Sequence, residues 1–182
     1  MAQAKAKVAS AQAALTSAEN HYNTVTSRLN GTVNADLATV AQKNAAFKAA
    51  LTAYNEAENA LNTATATRVS ADARLAKQKT VCAQPVHPPN CAQLIKQAKT
   101  TDDNAKAAEA TAKSSEAAAE AAKDSADTDR EAAVTAYRQA VAALQAAVSQ
   151  LSKGIATAKG AYSAAVNALS ALTKKCTVVS AY

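Results

Sequence analysis

The chain has 182 residues and a net charge of +6, and its 53 Ala outnumber 13 Val, 11 Leu, two Ile, one Phe, one Met, five Tyr and no Trp. Because a methyl group buries little area, and burial contributes about 25 cal/mol per Å², this composition excludes a large compact core. Ala is the best helix former, and three Gly and three Pro leave long stretches uninterrupted, so we expect an all-α protein of thin, closely packed helices.

The first predicted helix covers about residues 2–30. Its apolar residues recur at alternating steps of three and four, which indicates one narrow seam: Val8, Ala11, Leu15, Ala18, Tyr22, Val25 and Leu29. Asn30-Gly31-Thr32 then favours a turn, and Asn34 is a suitable N-cap residue, so we predict a break here. The alternative is a continuous helix with a stutter, since Leu29, Val33, Leu37 and Val40 would also share a face.

The second predicted helix covers about residues 34–80 and has a partly polar seam. The pattern runs through Leu37, Val40, Asn44, Phe47, Leu51, Tyr54, Glu58, Leu61, Thr65, Arg68, Asp72 and Leu75. A stripe of small residues lies beside it, at Ala50, Ala53, Ala57, Ala60 and Ala64. Small side chains at a contact reduce the distance between helix axes, so the stripe favours close approach by another helix.

The segment 81–91 is predicted to reverse the chain. Pro85, Pro88 and Pro89 exclude helix there. Cys82 and Cys91 flank the prolines, and we predict a disulfide that closes the turn and indicates an oxidising compartment. The alternative is a metal site formed by Cys82, His87 and Cys91, although three ligands at irregular spacing do not match the usual zinc patterns.

Two further helices are predicted, at about residues 92–128 and 131–178. The first has no bulky apolar residue after Ile95, and its candidate buried stripe is Ala105, Ala108, Ala112, Ser115, Ala119, Ala122, Ala126 and Ala133. The second has regular heptads through Val134, Tyr137, Val141, Leu144, Val148, Leu151, Ile155, Ala158, Tyr162, Ala165, Leu169, Leu172 and Cys176. No apolar run approaches the 18 residues of a membrane-spanning helix.

These elements predict a single elongated domain over residues 1–182. Its fold class would be an antiparallel, coiled-coil-like helical hairpin or bundle rich in Ala, with a disulfide-closed turn at 82–91. The arms before and after the turn match in length, so a hairpin would pair them. A break at Gly31 would instead give a bundle of three or four helices.

Two other residues are candidates for modification or cross-linking. Cys176 is the third cysteine and lies on a seam, so it is either a buried thiol or the site of a disulfide between two copies. Asn30 begins an Asn-Gly-Thr acceptor sequence for N-glycosylation. Neither residue implies catalysis.

The residues indicate no enzyme, cofactor or metal centre. His21 and His87 have no carboxylate or nucleophile at a spacing that would make either a general base. The acidic residues Asp124, Asp127 and Asp129 lack the glycine and closing glutamate of a calcium loop, so we interpret them as a solvated face.

Part of the chain resembles a known family. Residues 107–123, AAEATAKSSEAAAEAAK, are similar to the alanine-rich helical coat proteins of trypanosome surfaces. That resemblance implies an elongated helical bundle with a few disulfides, exposed on a cell. Alanine-rich stalks of bacterial adhesins and structural proteins of phages have a similar composition.

We therefore expect a non-enzymatic structural or interaction protein. It would act outside the cell, or on a cell or virion surface, as a coat, spacer or filament subunit that associates with itself and with protein partners on its helix faces. Two basic blocks flank an acidic one, which favours pairing with neighbouring molecules over nucleic acid. The alternative is a basic nucleic-acid-associated or virion structural protein that uses Lys77, Lys79, Lys96, Lys99, Lys153, Lys159, Lys174 and Lys175.

Overall fold

The protein consists of two long helices joined by a short turn. A computed structural model describes the backbone of residues 1–179 and the side chains of residues 1–175. Helix α1 runs over Ala2–Cys82 and helix α2 over Cys91–Val179, and the two pack against each other. No strand occurs within residues 1–179. The predicted all-α hairpin with a disulfide-closed turn at 82–91 is confirmed.

The predicted helix breaks at residues 30–34 and 128–131 are wrong. Helix α1 continues through Gly31, which has no positive φ, and α2 continues through residues 128–131. Val25, Leu29 and Val33 are all half-buried at steps of four, so the continuous helix with a stutter is the correct alternative. Leu37 was predicted to share this face but is exposed, and the next half-buried residues after Val33 are Asp36 and Val40. A central glycine costs a helix only about 1 kcal/mol, and the apolar residues on both sides outweigh that cost.

Contacts divide the chain into two compact units, each containing part of both helices. Unit 1 comprises Met1–Val40 and Ala133–Tyr182, and unit 2 comprises Ala41–Ala132. In unit 1 most predicted seam positions are half-buried, but Leu172, predicted as part of the seam, is exposed. Leu15 and Ala133 are buried there, whereas Tyr22, Tyr137, Leu144, Leu151, Ile155, Tyr162 and Leu169 remain partly exposed.

Unit 2 packs large residues of α1 against Ala of α2. Counting in sevens from Cys82, the inward positions of α1 are Leu75, Arg68, Leu61, Tyr54 and Phe47. Counting in sevens from Cys91, those of α2 are Ala98, Ala105, Ala112, Ala119 and Ala126. The disulfide therefore places each large side chain level with a methyl group, which lets the helices approach closely.

The stripe predicted for residues 105–133 of α2 is correct at alternate positions only. Ala105, Ala112, Ala119, Ala126 and Ala133 are buried or half-buried, but Ala108, Ser115 and Ala122 are exposed. Alternating with these inward Ala, other buried or half-buried positions of α2 carry charged residues: Asp102, Glu109, Glu116, Lys123 and Arg130.

The seam predicted for α1 needs a similar correction. Leu51 and Glu58 are exposed, whereas Ala50, Ala57 and Ala64 are half-buried and Ala71 is buried. These Ala lie level with the charged residues of α2 when counted from the disulfide. The small side chains on α1 thus leave room for the long charged side chains on α2.

Candidate functional site

The disulfide-closed tip is the first feature that could carry function. The sulfurs of Cys82 and Cys91 lie 2.13 Å apart, and their Cα atoms lie 5.6 Å apart. Residues 83–90 are all exposed, and Val86 retains 90% of its accessible surface. The disulfide consumes both thiolates that the alternative zinc site with His87 requires, so that hypothesis is wrong. Among the described residues, no three His, Cys, Asp or Glu side chains are placed to hold a metal ion.

An ion-pair network crosses the helices of unit 2. Arg68 of α1 lies between two carboxylates, with its Nε 2.5 Å from Glu109 Oε2 and its Nη1 2.6 Å from Asp72 Oδ2. Lys106 of α2 lies 2.6 Å from Asp102 Oδ2 and 3.3 Å from Asp72 Oδ1. Lys113 donates to Glu109 at 3.0 Å. The network joins the two helices between Leu61 and Leu75, where the buried apolar residues are alanines and no large apolar side chain is buried.

Burial and charge perturb several groups of this network. The pKa of Asp72 is lowered, first by a side-chain hydrogen bond with Asp102 and then by Lys106, against the effect of burial. The pKa of Glu109 is lowered first by the hydrogen bond from Lys113, with Arg68 adding to the effect. The pKa of Lys106 is raised by its hydrogen bonds with Asp102 and Asp72. The ionised forms of these three residues are therefore stabilised in the fold.

Asp102 is the most deeply buried polar residue that the structure describes, with 1% of its surface exposed. Its Oδ2 accepts from Lys106, but its Oδ1 is buried and receives no donor from the described side chains. Asp102 is thus the point in the seam where polar burial is least well compensated.

Further along unit 2, cations of α2 lie over aromatic rings of α1. Lys123 Nζ is 4.4 Å from the centroid of Tyr54, and the guanidinium of Arg130 is 5.1 Å from the centroid of Phe47. Both distances lie within the range of cation–π attraction. Lys43 adds an ion pair of 2.7 Å with Asp129. Asp127 and Asp129 were predicted to belong to a solvated acidic face. In the structure Asp129 binds Lys43 and Asp127 binds Arg130.

Carboxylates gather around Tyr54. The pKa of Tyr54 is raised, first by the negative charge of Glu58 and then by burial, Glu116 and Glu120, while Lys123 opposes the shift. Glu58 and Glu120 are exposed, and Leu51 nearby on α1 keeps 38% of its surface accessible. We call the set of Leu51, Tyr54, Glu58, Glu116 and Glu120 the acidic patch.

Unit 1 carries the entire net charge of the chain. It contains eight Lys and Arg against two carboxylates, which gives +6, whereas unit 2 contains twelve of each sign, which gives zero. All eight cations of unit 1 are exposed. The nine ion pairs that the structure describes all lie in unit 2.

The structure separates the eight lysines of the predicted nucleic-acid surface into two groups. Lys77, Lys79, Lys96 and Lys99 lie in the neutral unit 2, where Lys99 binds Asp103 at 2.8 Å. Lys153, Lys159, Lys174 and Lys175 lie in unit 1. Only the second group belongs to a region with a net positive charge.

Unit 1 also exposes apolar side chains. Leu37, Val166 and Leu172 keep 49%, 37% and 42% of their surfaces accessible. A hollow of about 360 Å³ lies beside Leu172, lined by Met1, Gln3, Ala4, Lys7, Ala165 and Ala168. This surface therefore combines positive charge with partly exposed apolar residues.

The remaining two candidate residues stay predictions. Asn30 is exposed on α1, and the hydroxyl of Thr32 donates to the carbonyl of Arg28 at 3.3 Å, so the glycosylation sequence lies within a continuous helix. The side chain of Cys176 lies outside the described residues.

Comparison with known proteins adds no relative: no protein-family model matches the chain, and no curated protein matches it. Within the described part of the chain, neither helix has a stretch apolar enough to cross a membrane.

Proposed function

We propose that the protein is a non-enzymatic assembly subunit, a helical coat or spacer component that associates with copies of itself outside the cell or on a virion surface. The observation that carries this proposal is the incomplete burial of the seams in unit 1. Tyr22, Leu144 and Ile155 occupy core positions of the heptads, yet each remains partly exposed. A two-helix pair cannot cover such residues on all sides, whereas additional helices from another copy can.

The exposed area supports the same proposal. The chain exposes 12169 Å², whereas a compact monomer of its mass, 18.5 kDa, exposes about 8200 Å². The difference, about 4000 Å², exceeds the roughly 1,200–2,000 Å² that a standard protein interface buries. The chain therefore has enough surface for contacts with more than one neighbour.

The proposed location rests on the disulfide. A Cys82–Cys91 bond persists in oxidising surroundings and is rare where thiols are kept reduced. The resemblance of residues 107–123 to alanine-rich coat proteins also favours an exposed surface. Mass spectrometry of the protein isolated from its source, under non-reducing conditions, tests this location. Two reduced thiols at positions 82 and 91 would argue against it.

Sedimentation velocity over a range of concentrations tests the assembly. We expect a mass above that of one chain at tens of micromolar, with dissociation on dilution. A matched variant with Leu37→Gln, Val166→Gln and Leu172→Gln should associate less, because these side chains are exposed and apolar in unit 1. A single chain at every concentration tested would refute the proposal.

One observation favours a second candidate function, a basic nucleic-acid-associated or virion structural protein. Unit 1 concentrates a net charge of +6, with all its cations exposed. A protein that neutralises phosphates loses affinity steeply as salt rises. Binding to DNA or RNA with such a salt dependence, abolished by Lys153→Gln and Lys159→Gln but not by Lys77→Gln and Lys96→Gln, would support this candidate. No binding at low salt would exclude it.

A further inference from the structure

The distribution of charge between the units suggests how two copies meet. Unit 1 has a net charge of +6, and unit 2 has a net charge of zero but holds twelve of the fourteen carboxylates. A contact between two copies of unit 1 would bring like charges together, which costs free energy. A contact between unit 1 of one copy and carboxylates of unit 2 on another has the opposite sign.

The acidic patch is the part of unit 2 best suited to that contact. Most carboxylates of unit 2 already bind a cation of the same unit, but Glu58, Glu116 and Glu120 take part in none of the described ion pairs. Their charges converge on the ring of Tyr54, whose pKa they raise. Leu51 supplies an exposed apolar group beside them.

The matching surface of unit 1 has the complementary composition. Arg138, Lys153 and Lys159 of α2 are exposed and take part in none of the described ion pairs. Val166 on the same helix adds an exposed apolar group. Lys159 lies seven residues from Val166, or about 10 Å along the helix, and Glu58 lies the same distance from Leu51 on α1. Unit 1 thus has a cation close to an exposed apolar residue, and the acidic patch has a carboxylate close to one at a similar spacing.

We propose that a second copy of the chain docks the basic surface of its unit 1 on the acidic patch of unit 2. This inference rests on the proposed self-association and specifies its geometry. The two surfaces of the contact differ, so the interface is heterologous. A complex of two copies still presents one unused basic surface, on one copy, and one unused acidic patch, on the other. Such contacts repeat head to tail, producing either a closed ring or an open filament.

Two variants separate the two surfaces. The first, Arg138→Gln with Lys153→Gln and Lys159→Gln, neutralises the basic surface and keeps the acidic patch. The second, Glu58→Gln with Glu120→Gln, changes the acidic patch and keeps the basic surface. Each surface variant has a matched control that changes exposed residues of the same charge elsewhere in unit 2. The control for the basic surface is Lys48→Gln with Lys77→Gln and Lys96→Gln. The control for the acidic patch is Glu56→Gln with Asp103→Asn.

Light scattering and sedimentation velocity are measured on each protein alone and on equimolar mixtures. We expect each surface variant alone to associate at least about tenfold more weakly than the unchanged chain, and each control to associate normally. A mixture of the two surface variants should form a complex of one copy of each and nothing larger. In that complex the intact basic surface of one binds the intact acidic patch of the other.

The possible outcomes separate this inference from the proposed function. If the unchanged chain never associates, both fail. If it associates but the acidic-patch variant associates normally, or if the mixture forms no complex of two chains, self-association stands and the head-to-tail geometry is overturned. Loss of association in the control variants to the same degree would also overturn it, because the effect would then follow from net charge alone.

Discussion

Arg68 of α1 and Glu109 of α2 form the closest ion pair between the two helices of unit 2, with Nε 2.5 Å from Oε2. The Glu109 side chain is 10% exposed, and it also accepts from Lys113 and from the hydroxyl of Thr65. Arg68 occupies a large-residue position level with Ala105. A guanidinium can reach both Asp72 and Glu109 from that position, so Arg68 joins carboxylates of the two helices, as Lys106 does from α2.

The stability of the fold should depend on pH at both ends of the scale. The pKa values of Asp72 and Glu109 are lowered from ordinary values of 3.8 and 4.5, so their contribution is present above those values and is lost as the pH falls through the lowered pKa. The pKa of Lys106 is raised from 10.5, so its contribution is present below that value and is lost at higher pH. We expect a plateau between about pH 5 and pH 10.

Glu109→Gln tests the acid limb of this profile. Because the variant cannot lose a carboxylate charge at position 109, its free energy of unfolding should fall less between pH 5 and pH 3 than that of the unchanged chain. Urea unfolding followed by circular dichroism measures the difference. Glu56→Gln, at an exposed position, is the control and should leave the slope unchanged. Equal slopes in all three proteins would contradict the role of Glu109.

Asp102→Leu should stabilise the protein by about 1–2 kcal/mol. Lys106, the cationic partner of Asp102, is half exposed, so the substitution leaves no buried charge without a partner. Asp102 is buried and its Oδ1 lacks a donor among the described side chains, so its burial is costly. Position 102 lies level with Ala71, as Leu75 lies level with Ala98, so a leucine fits the same packing of large against small. Lys106 retains Asp72 as a partner at 3.3 Å.

Thermal and urea unfolding would measure the effect of Asp102→Leu. Asp103→Leu, at the neighbouring exposed position, is the control and should not stabilise. A loss of stability on Asp102→Leu would mean that the buried carboxylate contributes more through Lys106 and Asp72 than it costs.

The sequence alone predicted the hairpin because its signals are local. Three prolines between two cysteines require a turn, and the regular heptads from Val134 to Leu169 require a helix. The polar seam positions Arg68 and Asp72 of α1 were predicted from the apolar spacing around them. The charged seam positions of α2 could not be predicted in this way, because Glu109 and Lys123 resemble surface residues when one helix is considered by itself. Their inward position depends on the register between the helices.

That register was nevertheless present in the sequence. Counting in sevens from the two cysteines gives Tyr54 and Phe47 on α1, level with Ala119 and Ala126 on α2. The second inward position of these heptads on α2 is then occupied by a charged residue, such as Glu109, Glu116 or Lys123. The prediction of a break at Gly31 failed for the opposite reason: a local turn signal was weighted above the apolar face that continues through Val33.

Removal of the disulfide should lower the free energy of unfolding by about 2.5 kcal/mol. Cys82 and Cys91 are nine residues apart, and closing a loop of that length restricts the unfolded chain by about this amount. The double variant Cys82→Ala with Cys91→Ala, measured by urea unfolding, should show the loss. Reductant should lower the stability of the unchanged chain to a similar level but leave the variant unaffected. A reductant effect on the variant would point to another thiol.

The acidic patch predicts opposite shifts for two substitutions near Tyr54. Glu58 is the largest cause of the raised pKa, so Glu58→Gln should lower the pKa of Tyr54 toward its ordinary 10.0. Lys123 opposes the shift from 4.4 Å above the ring, so Lys123→Gln should raise it further. Carbon NMR of labelled tyrosines follows the titration, with Tyr54→Phe to assign the signal. Shifts of the same sign in both variants would contradict this arrangement of charges.

Gly31→Ala should stabilise the protein by about 1 kcal/mol. Gly31 lies inside α1 without a positive φ, and, apart from its chain neighbours and the backbone of the surrounding helical turns, no heavy atom lies within 4 Å of an added Cβ. The alanine therefore gains helix propensity and restricts the unfolded chain without a clash. Thermal unfolding measures the gain, and Gly154→Ala and Gly160→Ala, which have the same open surroundings, should each give a similar one. A destabilised Gly31→Ala would show that the helix requires the conformational freedom of glycine at this position, as the predicted break assumed.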